Sequence, residues 1–257
     1  MDIYQHFRQE EKAFVDQVLD WKDQVERQYK VVLTDFLDPR EQIIIQSIIG
    51  KQSDFILSFF GGYSSAERQR AIFAPFYENI TDEDFSISVL EGSYPKKFVT
   101  IEHRDLLGAL MSLGIHRKKI GDIIVDDGIF QIIVDEEIDM FLKLHLNQVK
   151  RSSISLKKIS FKDIKQDQDE WLEKEGTVSS MRLDVIIKEI YQLSRQKTQE
   201  LILKELVKVN HQIINNPAYQ LEKGDLISVR KLGRGKVVDL LGMTKKNKIR
   251  VKLAKLK

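Results

Sequence analysis

Between Arg182 and Lys257 the chain holds 18 Lys and Arg side chains against seven Asp and Glu, a net of +11 in a protein whose formal total is +2. The first 181 residues hold the remaining 23 basic and 32 acidic groups, a net of −9. Cations segregated in this way neutralise a polyanion, and the counterions that the polyanion releases drive the binding. Nucleic acid is the first candidate. Arg182, Arg195, Lys197, Lys208, Arg230, Arg234 and Lys236 are the groups placed to meet phosphates.

Those cations need elements to hold them. Ser180 can cap a helix in which Leu183, Ile186, Ile187 and Ile190 share one face, with Arg182 in its first turn. A second helix starts at Ser194-Arg195, with Ser194 as N-cap and Leu201, Ile202 and Leu206 inward. Each helix then presents an arginine beside its N-terminal N–H groups, where a phosphate is naturally held. Val207-Lys208-Val209-Asn210 begins a short strand, and Lys223-Gly224-Asp225 turns into Leu226-Ile227-Ser228-Val229-Arg230. Lys236 to Leu241 follows, then a turn at Gly242, and Ile249, Val251 and Leu253 alternate with Arg250 and Lys252. The last thirteen residues hold seven basic and no acidic groups. They either extend the positive surface, ordering on RNA, or form a solvated, frayed tail.

The combination Arg182-Leu183-Asp184, Ser194-Arg195, Val207-Lys208-Val209-Asn210, Gly224-Asp225, Ile227-Ser228-Val229-Arg230 and Gly233-Arg234 closely resembles the S4 RNA-binding domain over about 60 residues. The resemblance implies contacts to RNA backbone and helix junctions from the start of the first helix and from the Ser-Arg of the second. Arg182, Ser194 and Arg195 carry that role by resemblance, with Asn210 beside Lys208 in the short strand. Glu205 and His211 depart from it, standing where many S4 domains have glycine. That puts turn detail in question but not the fold.

Upstream, at 257 residues the chain has room for two or three modules. From Asp2 to about Lys30, Phe7, Phe14, Val18, Trp21 and Val25 line one helix face. Asp38-Pro39-Arg40-Glu41 starts a second helix through Ile43 to Ile49, and a third is expected from Ala66. After Pro75 the period changes. Phe85, Ile87 and Val89 alternate with polar residues, and Phe98 to Ile101 reads as the return strand of a hairpin. A helix over 103–114, strands over 122–125 and 129–134 around Asp126-Asp127-Gly128, a helix over 136–146 and a strand over 153–161 complete a ββαββαβ order. The expected class is α+β: a helical N-terminal domain (1–75), an α/β sandwich close to RNA-recognition folds (76–162), a charged linker (163–179) and the S4 domain (180–257). The middle strands lack the aromatic pattern of base-stacking sheets.

Leu37-Asp38-Pro39-Arg40-Glu41, Phe60-Gly61-Gly62-Tyr63 with Ala66-Glu67-Arg68, His103-Arg104-Asp105-Leu106-Leu107-Gly108, Leu113-Gly114-Ile115 and Ile120-Gly121-Asp122-Ile123 together are similar to the YlmH-like family of bacterial S4-domain proteins. The similarity spans nearly the whole chain. It implies binding to the large ribosomal subunit, in particular to stalled subunits carrying peptidyl-tRNA during ribosome-associated quality control, and a gene neighbourhood linked to cell division.

Other chemistries find little support in the residues. The chain has no Cys, and its five His are widely spaced, without ligand spacing; no metal and no cofactor are expected. Phe60-Gly61-Gly62 lacks the third glycine of a dinucleotide loop. His103-Arg104-Asp105 comes without the other parts of a kinase. Arg68, Arg70, Arg104, Arg117 and Lys118 are candidates for secondary RNA contacts, with plain surface solvation as the competing reading. The charged N-terminus has no apolar leader, and no apolar run approaches the ~20 residues of a membrane span. These readings converge on a non-catalytic, monomeric, cytoplasmic protein that binds rRNA and tRNA on the large subunit, with other quality-control factors as further partners. An RNA-modifying enzyme carrying an S4 domain and a cell-division adaptor are the alternatives.

Overall fold

The computed structural model describes residues 7–50, 55–165, 170–244 and 247–256. It divides into two compact units, residues 1–167 and 168–257.

The first unit opens with helix α1 (Lys12–Gln28), which buries Val15, Val18 and Val25. The part of this helix expected between residues 2 and 6 lies outside the described residues. Strand β1 (Val32–Leu33) follows, then α2 (Pro39–Ile49). Asp38 caps α2 as its sequence foretells: its carboxylate accepts from Glu41 N–H at 2.9 Å, while Glu41 accepts from Asp38 N–H at 2.7 Å. Strands β2 (Phe55–Phe60) and β3 (Arg70–Pro75) complete a three-stranded antiparallel sheet in the order β1-β3-β2. The N-terminal region is therefore helical with a sheet that its sequence conceals, and the third helix expected from Ala66 is a turn leading into β3. All six residues of β3 are buried, so the two-residue alternation that marks a strand is absent. The glycines before it make the turn. A Cβ on Gly61 would stand 2.5 Å from Ala66 Cβ and from Arg68 O, and Gly62 has φ +95°.

The next stretch is β4 (Ile87–Ser93), α3 (His103–Ser112), β5 (Ile120–Asp126), β6 (Ile129–Asp135), α4 (Asp139–His145), the small hairpin β7 (Gln148–Val149) and β8 (Ser152–Ser153), and β9 (Leu156–Ile159). Its four long strands form an antiparallel sheet in the order β5-β6-β4-β9. The order of elements is βαββαβ, the split βαβ arrangement of RNA-recognition folds. The hairpin expected between Phe85 and Ile101 does not form. Residues 94–102 are a loop whose apolar Val99 and Ile101 pack into the core, and β4 pairs with β6 and β9 instead.

Both faces of this sheet are buried. One carries α3 and α4 over Leu90, Ile123, Phe130 and Ile132. The other lays Ile87, Val89, Ile124, Ile133 and Ile159 against Phe36, Phe60, Ile72 and Ala74 from the preceding residues. The buried Arg70 crosses the same layer. It donates to Thr34 O (2.7 Å) and Ser86 O (3.0 Å) and pairs with Asp135 at 3.4 Å.

The second unit holds β10 (Trp171–Val178), α5 (Leu183–Tyr191), α6 (Arg195–Leu203), β11 (Val207–Val209), β12 (Gln212–Ile213), β13 (Leu226–Val229), β14 (Gly233–Met243) and β15 (Ile249–Leu256). The strands make one antiparallel sheet ordered β10-β15-β14-β13-β11-β12. Two expectations are corrected here. Residues 171–178, read as linker, are an edge strand whose Glu173 and Glu175 pair with Lys252 and Arg250 on β15. Residues 249–256, read as a possible frayed tail, are held between β10 and β14, with Val251 fully buried. Gln166–Asp169, Lys245, Lys246 and Lys257 lie outside the described residues.

Because Phe36 is 1% exposed in the layer between the two sheets of the first unit, Phe36→Ala should destabilise that unit by about 3–5 kcal/mol. Hydrogen exchange should show residues 7–165 losing protection together. Loss confined to residues before 76 would mean that the two sheets fold independently.

Candidate nucleic-acid interface

Residue Arg182 is the N-cap of α5, with no side-chain capping hydrogen bond, and Ser180 does not cap the helix. The guanidinium instead grips Asp184, Nε to Oδ1 and Nη2 to Oδ2, both at 3.0 Å. Asp184 has a side chain 2% exposed, so its charge must be compensated. Burial pushes this carboxyl up, but Arg182, helped by Gln199 on α6, outweighs burial and holds it below the ordinary carboxylate value. Two of the five guanidinium N–H donors are thereby fixed, and the other three remain on a side chain 36% exposed. Arg182, Asp184, Lys188, Arg195, Ser179 and Ser180 line one cleft of about 290 Å³. The two arginines singled out by the sequence thus meet. Lys188, four residues beyond Asp184 on α5, joins them and was not foreseen; the helical i, i+4 spacing from Asp184 was the available signal.

The two helix ends differ. At α5 the Leu183 N–H donates to Tyr219 O (2.8 Å), the Asp184 N–H to Pro217 O (3.2 Å) and the Val185 N–H to Arg182 O (3.1 Å). No amide is left there for an anion, so α5 contributes a side chain only. At α6 the Ser194 hydroxyl accepts from Lys197 N–H at 3.2 Å as a cap, and among the described residues no hydrogen bond uses the N–H of Arg195 or Gln196. The clamp expected from two helix dipoles is one helix end and one guanidinium. Lys197 is exposed and shares Glu200 with Lys204.

The remaining cations form a second group. Cross-strand register aligns Lys208 with Ser228 and Ser228 with Arg234, so these residues share the sheet face opposite the helices. Lys236 lies on that face too, its Nζ 5.7 Å from the Trp171 ring centroid. Arg230 is exposed at the end of β13. Asn210 is tied into the fold: its amide donates to Asp225 at 2.8 Å and its Oδ1 accepts from Leu226 N–H at 3.0 Å. Glu205 (φ 57°) and His211 (φ 67°) occupy the left-handed region that glycine favours, so these departures preserve the backbone path.

Three family descriptions match in sequence: "YlmH, N-terminal" over residues 10–77, "Putative RNA-binding domain in YlmH" over 81–163 and "S4 domain" over 181–227. Ribosome-associated protein quality control protein P2 of Bacillus subtilis (strain 168) is 44% identical over 250 residues, covering 97% of each chain. The chain belongs to the YlmH family. A solved structure, cell division protein ylmH from Streptococcus pneumoniae, matches at a TM-score of 0.55 and 30% identity over 63% of this chain and 99% of its own.

In this YlmH-family chain most of the secondary candidates are used internally. Arg68 donates to Ile120 O (3.1 Å) and Phe36 O (2.9 Å), Arg70 is buried as described, and Arg117 donates to Ile120 O (2.6 Å) and Gly121 O (3.1 Å). Burial first, then the charge of Arg68, pushes Arg117 down to about 10. Asp122 anchors the turn before β3, accepting from Tyr63 OH (2.9 Å) and the N–H groups of Glu67 (2.7 Å) and Arg68 (3.0 Å). Lys118 is exposed, and Arg104 is exposed beside Glu102. Among the described residues no group of three His, Asp or Glu could hold a metal, and no helix is long and apolar enough to cross a membrane.

Because Asp184 orients Arg182, Asp184→Asn should lower the melting temperature of the second unit by several degrees and weaken RNA binding severalfold without removing a cation. The folded pKa of Asp184 lies below its unfolded value of ~3.9. Its stabilisation is therefore complete above that value and is lost as pH falls through the folded pKa. The variant should lack that part of the acid transition, as thermal melts from pH 7 to pH 2 would show. Equal RNA affinity in the variant would mean that Arg182 needs no such orientation.

Proposed function

We propose that this protein binds the large ribosomal subunit through its S4 unit, contacting rRNA and tRNA backbone. It acts there, in the cytoplasm, on stalled subunits that carry peptidyl-tRNA. The observation that supports this most is the cleft where Arg182, Lys188 and Arg195 converge beside the free amides of α6. A guanidinium, an ammonium and helix-end N–H groups are donors of the kind that hold phosphate oxygens, and they read backbone rather than base sequence. Membership of a family whose Bacillus subtilis relative is named for ribosome-associated quality control supplies the setting. Lys208, Arg234 and Lys236 on the open sheet face, with Arg230 and Lys197, extend the contact along the RNA. The protein acts as a non-catalytic, monomeric adaptor, and other quality-control factors join it on the subunit.

Charge reversal at Arg182 and Arg195 together should release the protein from large subunits in co-sedimentation. Because it also strips buried Asp184 of its partner, Arg195→Glu alone, which keeps the Arg182–Asp184 pair, should weaken retention with the melting profile unchanged. Retention on the subunit would remove these residues from the interface. With about six phosphates engaged, raising monovalent salt from ~50 to ~200 mM should weaken binding about a thousandfold. The double variant should show a shallower salt dependence, and a salt-insensitive wild-type complex would contradict phosphate recognition.

A further inference from the structure

RNA-recognition folds ordinarily receive RNA on the open face of their sheet, where aromatic side chains stack bases. In this chain Phe36, Phe60, Ile72 and Ala74 fill that face. Contacts made by the segment matched over residues 81–163 are therefore left to its edges, its loops and the outer sides of its helices.

Three loops meet at one end of the sheet. The connection from β4 to α3 makes a tight turn in which Phe98 N–H donates to Pro95 O at 2.9 Å. Tyr94 N–H donates to Gly128 O (2.9 Å) and Lys96 pairs with Asp127, which joins this loop to the β5–β6 turn. The two-residue turn Lys150-Arg151 of the β7–β8 hairpin joins it as well, because Lys150 Nζ donates to Thr100 O (2.8 Å) and pairs with Asp105 (2.6 Å). Lys96 and Lys150 thus serve as fasteners. Lys97 and Arg151 are exposed and, among the described residues, stand in no ion pair.

Next to Lys97 on this loop, which Lys150 ties to the turn that carries Arg151, Phe98 is 85% exposed, while Val99 and Ile101, its neighbours in the same loop, are turned into the core. A ring held in water on an ordered turn gives up the stabilisation that burial would bring. Beside it the turn exposes Pro95, and the two together are too little for a hydrophobic protein interface but enough for one base. An aromatic face flanked by cations is the pair of features with which proteins hold single-stranded nucleic acid.

We propose that this end of the RNA-recognition fold binds an unpaired RNA nucleotide, its base stacked on Phe98 and its flanking phosphates held by Lys97 and Arg151. The proposal extends the RNA-binding reading above and rests on it. The test uses the full chain with an RNA hairpin, closed by a tetraloop whose bases pair and stack on one another, bearing a short single-stranded overhang, and with the same hairpin blunt-ended, by fluorescence anisotropy. Phe98→Ala should weaken binding of the overhang hairpin about tenfold, leave the blunt hairpin unchanged and leave the salt dependence unaltered. Phe98→Tyr should restore the affinity. Lys97→Glu combined with Arg151→Glu should make the salt slope shallower by about two. Equal affinity of wild type and Phe98→Ala for the overhang hairpin would overturn the proposal. So would loss of large-subunit co-sedimentation by Phe98→Ala with both RNA affinities intact, because the ring would then meet protein. The Arg182→Glu/Arg195→Glu variant separates the two readings: undiminished binding of the blunt hairpin would sink the S4 assignment, whereas Phe98 is judged only by the difference between the two hairpins.

Discussion

The Asp184 carboxylate is buried at the start of α5, and a buried charge must be met by a partner. Arg182 meets it with two parallel hydrogen bonds, so the guanidinium plane is set by the fold rather than by a ligand. That one constraint orders the interface. It fixes Arg182 at the wall of the cleft shared with Lys188 and Arg195, so that on the proposed reading the side chain is ordered before RNA arrives. It also explains why α5 can give up its own amides to the carbonyls of Pro217 and Tyr219. Those bonds pin the helix start to the chain segment that closes the core, and among the described residues the amides left open are those at the start of α6.

A second constraint governs the first unit. A four-stranded sheet with one face under helices leaves the other face apolar, and here Phe36, Phe60, Ile72 and Ala74 cover it. The N-terminal residues and the RNA-recognition fold therefore share one layer, sealed by Arg70 against Asp135, Thr34 and Ser86. Arginine at positions 68, 70 and 117 is consumed in holding main-chain carbonyls of this unit. Lys97 and Arg151 by contrast lie exposed in loops, as does the ring of Phe98, and on the reading proposed above these groups make the single-strand contact.

Much of this architecture is legible in the residues. Asp38-Pro39 and Glu41 mark the start of α2 because a cap leaves a local signature, and Ser194-Arg195 marks α6 in the same way. Charge segregation and the Arg182 and Ser194-Arg195 spacing single out the two arginines that line the cleft, though not the cleft itself. What stayed hidden depends on partners far along the chain. β3 reads as part of a helix from Ala66 because both its faces are buried and the two-residue alternation of a strand is missing. β10 reads as linker because its glutamates are explained only by Lys252 and Arg250, which lie about 75 residues downstream in sequence. Phe98 to Ile101 has the composition of a strand but alternates between core and water as a loop. A lone arginine on a carbonyl and a lone arginine awaiting phosphate look identical in sequence, which is why Arg68, Arg70 and Arg117 stood among the candidates.

The central claim is that the arginine cleft of the S4 unit meets ribosomal RNA and tRNA. Crosslinking in cells followed by sequencing of the attached RNA, in wild type and in the Arg182 and Arg195 charge-reversed protein, tests it most directly. The account predicts crosslinks on large-subunit rRNA and on tRNA that disappear in the variant. Crosslinks scattered over unrelated RNAs, or a pattern unchanged by the charge reversal, would contradict it.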